Sequence, residues 1–449
     1  MRKYRKALGA LVVIALLVFP ATPGFTAATE TEVTDICEAL FGDTFGVPNG
    51  EPLADCQWDM ALIDAGHASY ANATGKGVKV GVIDTGVDFN HPDIAPNLDV
   101  GLSCSFIFDD TPTADPDEIA NGDCSIKSAV QDLSGHGTHV ASIIAAPVNG
   151  VGIAGVAPEA TIVALKVCTE VGFCFADSVA AALRYAGDVG LDVVNLSLFA
   201  DPFLYYCKDD ADQRAILREL EAAARYAQQR GVLIVASSGN QSDDLQHPDV
   251  DTISPDWPPG EAEEREVGNQ CWVAPAELPG VLTVSSTGPI GIAGYDAWIS
   301  DFSSVGVSVV NVTAPGGDYF QATGTVQDAV LGALSSTGDE DNSLWEILDF
   351  LEMNVPGLTG LTVLADGARY GFLNGTSMSS PHAAGVAALI VEKHPTWNQG
   401  AVKSAVQRTT TDLSCPSFEY DHMPPCEGGR GYNSYFGHGL VNALNASGS

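Results

Sequence analysis

Five short apolar runs rich in β-branched residues recur along this chain: VKVGVID (Val78–Asp84), TIVALKV (Thr161–Val167), DVVNLSL (Asp192–Leu198), GVLIVASS (Gly231–Ser238) and VLTVSS (Val281–Ser286). They lack the alternation of a strand with one wet face, so they read as strands covered on both faces. Between them lie helical patterns with acidic starts and glycine stops, DSVAAALRYAGDVG (Asp177–Gly190) and DQRAILRELEAAARYAQQRG (Asp212–Gly231). SPHAAGVAALIVEKH and QGAVKSAVQRTT supply the last helices. This rhythm predicts an α/β fold of three layers: a mostly parallel sheet with helices on both faces. In such folds functional groups collect at the carboxyl ends of strands and at helix N-termini.

The first residues, MRKYRKALGALVVIALLVFPATPGFTAAT, place four basic side chains before an apolar run from Ala7 to Phe19, with small residues around Ala27 and Ala28. That is the anatomy of a secretory signal peptide over residues 1–28, and the run is short for a membrane span. Ten cysteines in an exported chain imply disulfides rather than metal thiolates. Pairing sequence neighbours gives Cys37–Cys56, Cys104–Cys124, Cys168–Cys174, Cys207–Cys271 and Cys415–Cys426, although spacing alone does not fix connectivity. With 57 acidic against 20 basic residues, the net charge of −37 disfavours nucleic acid and anionic lipid as partners.

Four polar residues stand where chemistry is expected. Asp84 closes VKVGVID, placed either to hold an imidazole or to cap a turn. In DLSGHGTHVASIIAA, Gly135 and Gly137 bracket His136 where a helical pattern begins, and they let the backbone crowd a neighbour. His136 and His139 could form a zinc pair at helical spacing, but no HExxH follows. Asn240, just past the strand GVLIVASS, is either an oxyanion donor or a turn residue. Ser377 in NGTSMSSPH opens a helix, where backbone N–H groups favour developing negative charge; a capping serine would look the same. Pro381 is expected in that helix's first turn.

Together, VIDTGVDFNHPDI, GHGTHVA, GVAPEATIVALKV, VVNLSL, ASSGN, FSSVG, APGG, NGTSMSSPHAAGVAAL and FGHGLVNA resemble the subtilisin-like serine proteases, from about Gln57 to about Ala443. The resemblance implies a secreted endopeptidase that acts on protein or peptide substrates as a monomer and needs no cofactor for its chemistry. Ser377 would be the nucleophile, His136 the general base and then acid, Asp84 its orienting carboxylate and Asn240 an oxyanion donor. Gly172, Phe173 and Cys174 would form an edge strand that pairs with substrate. Ser197, Leu198 and Phe199, with Ser238 and Gly239, would wall the specificity pocket. Family members often carry structural calcium. Asp93, the Asn149 side chain and the carbonyls of Pro147, Val151 and Ile153 match the ligand positions, with Gln57 a candidate for a further one.

Departures from the family are as telling. Phe199 and Ala200 replace glycines of the pocket, and Ser379 stands where alanine is usual. Only Ala28–Cys56 separates the signal segment from the core, short for the family's folded pro-domain. The expected organisation is a short N-terminal extension over residues 29–56 and one peptidase domain over 57–449. Insertions near 199–210, 241–275 and 318–372 could be binding loops or surface decoration. Two rivals compete with the peptidase reading: a silent binding protein that keeps the fold, and a zinc hydrolase.

Overall fold

The computed structural model describes residues 28–292, 298–337, 344–355, 358 and 360–449. All of the expected signal segment except Ala28 falls outside them, as does part of the 318–372 insertion.

Seven strands, β1 (Lys79–Asp84), β2 (Cys104–Ser105), β3 (Thr161–Lys166), β4 (Val193–Leu196), β5 (Leu233–Ser237), β6 (Leu282–Thr287) and β7 (Val312–Pro315), form one parallel sheet in the order β7-β6-β5-β4-β1-β3-β2. Five of them are the apolar runs, shortened or shifted by a residue or two. The pleat sorts their side chains between two cores. Val80, Val82, Val193, Leu233 and Val235 face one, Ile83, Val194, Ile234 and Ala236 the other. The first core is completed by helices α2 (His136–Ala145) and α6 (Thr376–Lys393), the second by α3 (Ala176–Asp188) and α4 (Ala211–Gln229). Strands β3 and β2 lie on one side of β1 and β4 to β7 on the other, so the switch-point crevice opens where β1 and β4 end.

Residues 28–56 share the first core. Thr29 caps the helix Glu30–Phe45 in a reciprocal pair with Glu32. Val33, Cys37 and Phe41 are buried, and Phe41 and Phe45 pack on Trp58. The strand Ala28–Thr29 adds to an antiparallel sheet formed by β8 (Val330–Leu334), β9 (Thr362–Ala365) and β10 (Ala368–Leu373). The 318–372 insertion is therefore no loose decoration. Its sheet lies on α2, with the His139 ring against Gly332, where a Cβ would come within 2.6 Å of it. The other two insertions pair as an antiparallel ribbon, Tyr205–Cys207 with Cys271–Val273. All five disulfides join the sequence neighbours.

Helix α6 carries a fully buried pair. His382 Nδ1 donates to the Met378 carbonyl at 2.7 Å, so a proton must lie between Nε2 and Asp59 Oδ2, 2.9 Å away. Removing one partner strands the other in the core, and Asp59→Ala should cost about 3–5 kcal/mol. Urea unfolding measures this; a loss below 1 kcal/mol, within the ordinary range for a surface change, would show that the pair does not secure the helix.

Candidate active site

Asp84 is the last residue of β1, and Thr85 N donates to its Oδ1 at 2.7 Å. The same oxygen lies 2.7 Å from His136 Nδ1. Asp84 is buried, whereas the His136 side chain keeps 22 % of its surface, enough for one edge to meet a ligand. Burial of the ring opposes its protonation. The charge and hydrogen bond of Asp84, with a smaller push from Asp132, outweigh burial and raise His136 above the usual histidine value. Both flanking glycines are explained. Gly135 has φ +106° at the cap of α2, and a Cβ at Gly137 would lie 2.1 Å from the Gly86 carbonyl.

His139, one turn along, has Nε2 3.0 Å from the Gly371 carbonyl, and burial lowers its pKa to about 3. The two rings thus engage different partners, Asp84 and Gly371, which leaves the zinc-pair reading no shared centre.

Ser377 is the second residue of α6. Thr376 and Met378 on either side are buried while Ser377 is partly accessible, and its N–H belongs to the first turn, ahead of the regular i−4 bonds. Its hydroxyl donates to the Ser197 carbonyl at 3.2 Å, turned aside from His136. Pro381 is the sixth residue of the helix rather than one of its first turn. Having no N–H, it cannot bond the Ser377 carbonyl four residues back. Ser197 Oγ donates there instead, at 2.7 Å, and itself accepts from Asn195 Nδ2. The Ser197 side chain, expected in the pocket wall, thus supports the helix that carries Ser377.

Asn240 is exposed just beyond β5. Thr376 N and Thr376 Oγ1 donate to its Oδ1 at 2.9 and 2.8 Å, which fixes the amide and leaves Nδ2 free to donate. A Cβ at Gly375 would stand 3.5 Å from Nδ2, in ordinary contact with the amide. Thr376 escaped the reading of the sequence, although its place beside Ser377 in a glycine-led helix start was a signal.

The other expected positions fare unevenly. Ser238 is buried with Oγ donating to the Ser304 carbonyl, and Gly239 N donates to Thr376 Oγ1, so both brace the site from behind. Leu198 packs on the second core and Phe199 on a small cluster with Leu204 and Tyr205. Gly172–Cys174 is not a strand. Thr169 N donates to the Phe173 carbonyl, and the Cys168–Cys174 bridge closes a tight turn. The Cys174 N–H is given to buried Asp201. This edge therefore has fewer free backbone groups than β-augmentation requires.

At the expected calcium loop, Asp93 is buried and accepts from Tyr370 Oη at 2.8 Å, Ile153 N at 3.1 Å and Asn149 Nδ2 at 3.3 Å. Asn149 Oδ1 is taken by Val151 N. Gly150 N donates to Glu51 at 2.8 Å, with the neighbouring backbone groups of Asn149 and Val151 also serving that carboxylate. Gln57 is occupied by Asn49 and Ala154. Within the 147–153 loop, the Asn149 amide and the N–H groups of Gly150 and Ile153 are thus given to two carboxylates. As arranged, this set does not fit Ca²⁺, which needs six to eight oxygens.

The matches to known proteins agree with this geometry. The subtilase family model covers residues 75–439. M-protease of Shouchella clausii (strain KSM-K16) is 29% identical over 386 residues, 86% of this chain and 68% of that protein. Subtilisin Savinase of Lederbergia lenta is 28% identical over 386 residues, 86% of this chain and 96% of its own. Among solved structures, the nisin leader peptidase NisP from Lactococcus lactis superposes with a TM-score of 0.61 at 24% identity, over 88% of this chain and 94% of that one, which supports the fold. Since the matched span encloses Asp84, His136, Asn240 and Ser377, the chain belongs to the subtilase family and is a subtilisin-like serine endopeptidase.

Proposed function

We propose that this chain is exported and cleaves peptide bonds through an acyl-enzyme on Ser377. The observation that carries the reading is the 2.7 Å contact of His136 Nδ1 with buried Asp84, which fixes the tautomer and leaves Nε2 as the free base. Substrate binding rotates the Ser377 hydroxyl from Ser197 toward Nε2. Its oxygen attacks the carbonyl carbon as the proton passes to His136. The resulting oxyanion takes hydrogen bonds from Asn240 Nδ2 and Ser377 N. Collapse breaks the C–N bond, and His136 returns the proton to the leaving amine. Water then repeats the sequence and releases the acid. All four groups come from one chain, so a monomer suffices, and the chemistry needs no cofactor.

Export is supported by the basic and apolar start of the sequence, and by five disulfides that suit an oxidising compartment. No helix among the described residues is long and apolar enough to cross a membrane. Digesting a peptide library with the mature protein, against Ser377→Ala, tests activity and reads the pocket together. Cleavage equal in both samples would rule the reading out.

In place of calcium, Glu51 and Tyr370 hold the 147–153 loop. Tyr370→Phe should cost about 1–3 kcal/mol by leaving buried Asp93 short of a donor. Calcium added after EDTA should shift the unfolding temperatures of wild type and Asp93→Asn equally. A stabilisation by calcium that Asp93→Asn loses would restore the metal at this loop.

A further inference from the structure

A second buried carboxylate, Asp132, stands four residues before His136 and outside the four groups of the proposed chemistry. Both of its oxygens are filled by donors. Oδ1 accepts from Ser134 N at 3.1 Å, Gly135 N at 2.8 Å and Thr85 Oγ1 at 2.8 Å; Oδ2 accepts from Thr138 N at 2.9 Å and Thr138 Oγ1 at 2.5 Å. It therefore caps the helix that begins at His136 and also reaches across to the residue after Asp84. Thr85 completes the link. Its Oγ1 accepts from Gly137 N at 2.9 Å, while its N–H holds the Asp84 oxygen that faces His136. Behind this bridge, fully buried Lys166 donates to the Gln131 carbonyl and to the carbonyl of Thr85, and pairs with Glu118 at 2.8 Å. From the 318–372 insertion, Ser335 Oγ and Thr337 Oγ1 donate to the Asp132 carbonyl at 2.7 and 2.9 Å.

We infer that Asp132 is a positioning residue: through Thr85 it locks the end of β1 to the start of α2 and so sets the distance and angle between Asp84 and His136. The inference rests on His136 being the base. A carboxylate suits the place because all five of its partners donate, and an amide would turn an N–H₂ group on at least one of them. The titratable groups around His136 are Asp84, Asp132 and, on its own helix, His139; the Lys166–Glu118 pair stands behind Asp132. Loss of the Asp132 charge removes one of the groups that favour the protonated ring, so His136 should titrate at lower pH.

The test compares wild type with Asp132→Asn by NMR titration of the His136 ring and by the pH profile of kcat/KM. The expected result is a downward shift of the His136 titration, with the acidic limb of the profile following it. A kcat loss of about 10²-fold with KM nearly constant should accompany it, the scale of a reacting group displaced by about an ångström. A kcat loss with the titration unmoved would mark a merely structural role and overturn the inference; so would no change in either. Should Asp132→Asn fail to fold, Thr85→Val decides. It should reproduce the kcat loss, with Thr85→Ser recovering most of it, and equal rates in both would overturn the link. The NMR arm does not depend on turnover, so a wild type without activity would contradict the base assignment separately.

Discussion

Replacing Ser377 by alanine should lower kcat by about 10⁶-fold and leave the protein folded. The size follows from what is removed. Without the hydroxyl no acyl-enzyme forms, and only oxyanion stabilisation and substrate binding remain, worth about 10³–10⁴ over water. Folding should be nearly indifferent. Ser377 is partly accessible and its hydroxyl makes one hydrogen bond, to the Ser197 carbonyl, while the buried neighbours Thr376 and Met378 stay in place. The Ser197 hydroxyl goes on holding the Ser377 backbone carbonyl, which the substitution does not touch. Steady-state rates on a cleaved peptide, with unfolding curves beside them, give both halves of the result. A loss below about 10-fold would mean that another group attacks, since each tenfold is only 1.36 kcal/mol of barrier.

Asn240→Ala should lower kcat by about 10²–10³ with KM little changed, because its free amide donates to a charge present in the transition state and absent in bound substrate. Two features sharpen this. The Asn240 Oδ1 is held by both donors of Thr376, so Nδ2 is aimed without loss of side-chain freedom at the reacting moment. The residue is also exposed, so alanine leaves no cavity, but it takes the acceptor from the buried Thr376 N–H and hydroxyl and should cost about 1–3 kcal/mol of stability. Asn240→Asp should be no better than alanine, since an ionised carboxylate accepts and cannot donate to an oxyanion. A change confined to KM would place Asn240 in ground-state binding instead.

Much of this was legible in the chain because its signals are local. A β-branched apolar run such as TIVALKV reads as a doubly covered strand, and GHGTH at a helix start leaves its glycines little purpose beyond crowding. Non-local features were not legible. Nothing in the sequence ties Glu118 to Lys166 or Tyr370 to Asp93, residues that meet only after the sheet has closed and the insertion has folded onto α2. Some signals were present and passed over. Lys166 is a lone charge in an apolar strand, and Asp132 is an acceptor just before a helix start, three residues ahead of the cap at Gly135. The edge strand at Gly172–Cys174 failed for a local reason, since a disulfide across six residues closes a turn. The hydrogen bonds around Asp93 were not legible either, because residue types do not decide which way a backbone turns its N–H groups.

The central claim is that Ser377 is an activated nucleophile, and covalent capture tests it most directly. The folded mature protein is treated with a phosphonyl fluoride, digested, and the adduct located by mass spectrometry. The geometry predicts a single phosphonylated residue, Ser377, with labelling that rises with pH as His136 loses its proton and vanishes in His136→Ala. A folded protein that takes up no reagent, or takes it up on another residue, would contradict it.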